Sequence, residues 1–82
     1  MYKAVEMIFS SDIEGILTPI RFRVQVDDEL IVVPVKHPVI RDENKIPGSH
    51  IIDYRADFVI NNQLRPGKLR FSGRDHIWSV DI

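Results

Sequence analysis

The 82-residue chain contains no cysteine, so neither a disulfide nor a thiolate-ligated zinc ion can brace it, and the cytoplasm is its expected compartment. Long hydrophobic runs are missing too. The longest apolar stretch, Leu30 to Val35, contains Pro34 and is far too short to cross a bilayer, and the opening Met1-Tyr2-Lys3-Ala4-Val5-Glu6 has no apolar signal region. A soluble, unexported protein without a membrane partner is the expectation. Net charge is nearly absent: eleven Lys and Arg against twelve Asp and Glu leave −1, which by itself predicts neither attraction to nucleic acid nor repulsion from it. The four glycines form no phosphate-binding pattern, and none of the serines sits in a Gly-x-Ser-x-Gly elbow. Neither a catalytic residue nor a cofactor is indicated, and an enzyme is not expected.

What the chain does have is alternation. From Thr18 to Asp27 apolar and polar residues take turns, with Ile20, Phe22, Val24 and Val26 on one face and Arg21, Arg23 and Gln25 on the other, the period of a half-buried antiparallel strand. The same period predicts strands over Lys3 to Phe9, Leu30 to about Lys36, His50 to Ile60, Lys68 to Ser72 and His76 to Ile82. In the first of these the core face is ambiguous. Ser11-Asp12-Ile13-Glu14 fits a capping box, but Gly15 and Pro19 follow so closely that a loop is expected. Asp27-Asp28-Glu29 makes a tight turn, residues 41 to 49 read as a long polar loop around Pro47-Gly48, and Pro66-Gly67 suits a type II turn. Pro34 cannot donate to a ladder, so the third strand is an edge, a bulge or a pairing boundary there. Six strands with short turns predict one all-β domain over residues 1–82, an antiparallel meander closing into a barrel of SH3-like or split-barrel type.

Charge is unevenly spread, and residues 61 to 82 hold four basic side chains against two acidic ones. Arg21, Arg23, Arg55, Lys68 and Arg70 all fall on predicted outward positions, so they form a candidate ligand or nucleic-acid face if their strands adjoin. Glu6, Gln25, Asp53 and Asp57 interleave with them, which favours cross-strand ion pairs on a solvated surface instead. Stacking on bases requires exposed aromatics, yet Phe22, Tyr54, Phe58, Phe71 and Trp78 all take core positions, leaving Tyr2. His37, His50 and His76 stand at predicted strand ends without a metal-ligand spacing, and the acids at 12, 14 and 27–29 lack that of a calcium loop. No metal is expected.

The series Pro19-x-x-Phe22, Ile31-x-Val33-x-Val35, Ile52-x-Tyr54, Leu69-x-Phe71 and Trp78-x-Val80-x-Ile82 resembles small bacterial barrel domains of uncharacterised families. The acidic Asp27-Asp28-Glu29 departs from that pattern, where a Gly- or Arg-containing turn fits better. The resemblance implies a compact barrel in a bacterial cytoplasmic protein and brings no site residues with it. Taken together, these features suggest a small binding module for protein or, weakly, nucleic acid. The alternative is a structural or accessory protein whose main interaction is with itself. Leu30 to Val35, as a possible unpaired edge, would favour a homodimer.

Overall fold

The computed structural model describes residues 1–81; Ile82, expected at the end of the last strand, lies outside them. Six antiparallel strands follow in order: β1 (Tyr2–Ser11), β2 (Leu17–Val26), β3 (Glu29–Ile46), β4 (Ser49–Ile60), β5 (Gln63–Ser72) and β6 (Ile77–Asp81). Each pairs with its sequence neighbour, and β6 pairs with β1 to close a barrel.

Closure depends on two strands that change partner midway. In β1, Tyr2 to Val5 pair with β6 and Glu6 to Ser11 with β2. In β3, Glu29 to Pro34 pair with β2 and Val35 to Ile46 with β4. Pro34 marks the boundary, as a residue without an amide donor should. Lys3 and Tyr54 tie the places where the ladders part. The Lys3 ammonium donates to the Gln25 carbonyl at 3.0 Å, and the Tyr54 hydroxyl donates to the Leu17 carbonyl at 2.7 Å.

The interior is filled by Phe22 and Val24 of β2, Val33 and Val35 of β3, Ile52, Tyr54, Ala56 and Phe58 of β4, Leu69 and Phe71 of β5, and Trp78 and Val80 of β6. Val5 and Met7 pack against this set, which resolves the inward face of β1. Trp78 is buried among the rings of Phe9, Tyr54 and Phe71, at centroid distances of 5.0 to 5.4 Å. Phe22 meets Phe58 edge-on at 5.1 Å.

Four local expectations are corrected. The polar segment 41–49 is a strand up to Ile46, paired through Asp42↔Asp53, Glu43↔Ile52, Asn44↔Ile51 and Lys45↔His50, and only Pro47-Gly48 turns. Ladder pairing with β4 overrides its polar composition, and Gly48 supplies the positive φ of 83° that the turn needs. Pro66-Gly67 is not a turn but lies inside β5, opposite Asp57 and Ala56. The β4–β5 hairpin instead turns at Asn61-Asn62, both at positive φ, as are Asp27 and Asp28 in the β2–β3 hairpin. This is the two-residue geometry that matches strand twist and that Asn and Asp tolerate best. Gly67 is required for a different reason, because the Phe58 ring occupies the space a Cβ would take.

The third correction concerns Ile20, expected in the core and found 43% exposed. The register slips at Ile8/Phe9, so that Pro19 rather than Ile20 points inward and is fully buried. Fourth, His76 precedes β6 in the 73–76 loop, at a φ of 57°. The 12–16 connection is a loop as expected, held by the Asp12 carboxylate, which accepts the amides of Glu14 and Ile16 at 2.9 Å.

Candidate interaction surface

Strand alternation fixes what each wall of the barrel shows outside. On β1–β2–β3 the inward row Met7, Phe22 and Val33 is flanked by two outward rows, Ile8–Arg21–Pro34 and Glu6–Arg23–Val32, followed by Gln25–Leu30. Half or more of Ile8 (50%), Val32 (53%) and Leu30 (61%) is exposed. Glu6, Ile8, Arg21, Arg23 and Val32 line a groove of about 460 Å³ on this wall. Its charged members differ in kind. Arg23 is bonded to Glu6, whereas Arg21 has no ion pair among the described residues. The surface therefore combines apolar side chains with one free cation.

The wall formed by β4 and β5 is different. Its outward residues are Asp53, Arg55 and Asp57 on β4 and Lys68 and Arg70 on β5, with Arg55 directly opposite Lys68 and Asp53 opposite Arg70. Arg70 donates from Nε to Asp53 at 2.7 Å, a bond that raises the guanidinium pKa further. Its guanidinium also lies 4.3 Å from the centre of the half-buried Tyr2 ring, so the aromatic singled out in the sequence stands beside a cation. Arg55 and Lys68 carry no ion pair among the described residues. Two like charges directly across a ladder repel, and the Asp81 carboxylate moderates this. Asp81 itself is held below the usual carboxylate range by its bond to the N-terminal ammonium and, more weakly, by Lys68.

The five predicted basic residues thus fall into two groups. Arg21 and Arg23 belong to β2, and Arg55, Lys68 and Arg70 to β4 and β5. In the closed order β2 and β5 lie three strands apart in either direction, so no single face carries all five. The interleaved acids pair as composition suggested, Glu6 with Arg23 and Asp53 with Arg70.

The histidines are dispersed. His37 contacts Asp57 at 3.2 Å, His50 contacts Glu43 at 2.8 Å, and His76 lies 6.5 Å from the Phe71 ring centre. Its hydrogen bond to His50, aided by Lys45, holds Glu43 below the usual carboxylate range. Among the described residues no group of three or more His, Asp or Glu is placed to hold a metal ion. None of these contacts assembles a nucleophile, a base and an orienting third group, the arrangement that acid-base or covalent catalysis calls for.

Ile8, Leu30 and Val32 were not among the predicted site residues. Their signal was present in Leu30-Ile31-Val32-Val33, a continuous apolar run in which both faces of the strand are apolar, a pattern that implies cover on both sides. The barrel covers only one. Compared with known protein families, curated proteins and solved structures, the chain matches none, so the resemblance noted in the sequence gains no support and the site rests on its own geometry.

Proposed function

We propose that this is a non-catalytic binding module of a bacterial cytoplasm that engages a protein partner through the outer wall of β1–β2–β3. The observation that carries this reading is the exposure of Ile8, Leu30 and Val32 on one sheet face beside the unpaired Arg21. Scattered apolar residues are ordinary on any surface, but a cluster of them rimmed by polar groups marks a contact site. A photoreactive residue replacing Val32 should yield a protein adduct in cells, whereas one replacing Arg55 should not; adducts from position 55 alone would refute the reading.

One observation favours a second reading, weak nucleic-acid binding on the β4–β5 wall. There the like-charged Arg55 and Lys68 face each other, with Tyr2 beneath the neighbouring Arg70, and a phosphate between them would relieve their repulsion. Asp53, Asp57 and Asp81 on the same side oppose it. Oligonucleotide affinity that falls steeply with salt and is lost on Arg55→Glu would favour this reading over the first.

A further inference from the structure

Building on the protein-binding reading of this wall, we infer that its partner is a second copy of the same chain, related by a two-fold axis passing near Val32. The order of side chains along the face carries the argument. At one end stands the acidic turn Asp27-Asp28, in the middle Leu30 and Val32, and at the other end Arg21, which lies opposite Pro34; Glu29, paired with Val26, takes the other face by alternation. Asp27, Asp28 and Arg21 form no ion pairs among the described residues. At about 3.3 Å per residue, the acidic and basic ends stand roughly 20 Å apart with the apolar residues between them.

A two-fold interface requires each surface to hold both halves of its own complement. Here rotation about the centre lays the acidic turn of one copy on Arg21 of the other, does the same in reverse, and sets Leu30 and Val32 against their counterparts. Opposite charges at the two ends of an apolar centre are the arrangement that a contact between identical surfaces requires. The Arg23–Glu6 pair stays at the edge of the contact with its charges already matched.

The contact is small. Three strands spaced by about 4.8 Å over roughly 20 Å of length make a patch below the ~800 Å² per partner of a standard interface. The dimer is therefore concentration-dependent, and its charged ends make it weaken as salt rises.

Sedimentation equilibrium of the purified chain from about 1 to 500 μM, at low and at physiological salt, tests this. The wild type should pass from monomer to dimer. Arg21→Glu and Asp28→Lys should each weaken the dimer at least tenfold, while their equimolar mixture should recover it, because the hybrid restores an opposite-charge contact at both ends. Leu30→Thr should also weaken it, with an unchanged melting temperature showing that the fold is intact. A wild type that stays monomeric throughout, or a dimer indifferent to all three substitutions, would overturn the inference. If the wild type is monomeric while the Val32 probe captures a different protein in cells, the two-fold partner is wrong and the protein-binding reading survives. If that probe captures nothing either, both fall.

Discussion

Along β4, β5 and β6 the inward residues are large and closely buried, with Leu69 and Val80 at 0% exposure, and the outward ones include Asp53, Arg55, Asp57, Lys68, Arg70 and Ser79, with Leu64 and Ile77 exposed towards the strand ends. Along β1, β2 and β3 the inward rows keep the same period apart from the slip at Ile8/Phe9, yet the outward rows include Ile8, Leu30 and Val32 beside the charges. β1 itself adds only the partly buried Val5 and Met7 to the core. Both walls obey the same period of two. One has an exterior that is charged through its middle, with Leu64 and Ile77 exposed only towards its ends, and the other has apolar groups through the middle of both sides. The first wall thus carries most of the stability, and the second carries the surface available to a partner.

Several substitutions break this comparison. The largest effect belongs to the packed wall: Leu69→Ala should cost about 3 kcal/mol in urea unfolding, since a fully buried leucine leaves a cavity when truncated. In a domain this small such a loss consumes much of the total stability. Gly67→Ala comes next, at on the order of 2 kcal/mol, because its Cβ runs into the Phe58 ring. That cost should shrink in the double variant with Phe58→Leu, a non-additivity that only direct contact produces.

Tyr54 links the walls and gives a pH signature. Burial, reinforced by Glu43, pushes its hydroxyl up to about 12 from an ordinary value of 10.0. A group with a raised folded-state pKa stabilises the protein fully below its unfolded value and loses that contribution as pH rises through the folded one. Stability should therefore decline between pH 10 and 12 as the unfolded chain ionises first. Tyr54→Phe should remove that decline, while costing about 1 kcal/mol at neutral pH through the lost bond to the Leu17 carbonyl. The smallest effect on stability is expected on the open wall, where Leu30→Thr should stay within about 0.5 kcal/mol. An equally costly Leu30→Thr and Leu69→Ala would dissolve the distinction between the walls.

Much of this fold was legible in the residues because period-two alternation in Arg21 to Val26, Ile52 to Phe58 and Trp78 to Val80 states both strand and facing. Turn chemistry was legible where both central residues were acidic, at Asp27-Asp28. It misled at Pro66-Gly67, where Gly was needed for the close approach of Phe58, a tertiary contact invisible in a local window. The polar arm from Arg41 to Ile46 was hidden because its ladder partners come later in the chain. The bulge that exchanges Ile20 for Pro19 was hidden for a similar reason, since a register slip depends on β1. Of the candidate site, the sequence held Arg21 and Arg23 and the apolar run from Leu30 to Val33. It did not hold their separation from Arg55, Lys68 and Arg70, because that follows from strand order around the closed barrel.

The most direct measurement is amide hydrogen exchange on the purified chain, compared between dilute and concentrated solution. Slowing confined to the β1–β2–β3 wall, around residues 6–8, 21–25 and 29–34, is the predicted result. Slowing centred instead on Arg55 and Lys68, or exchange that ignores concentration everywhere, would contradict the account.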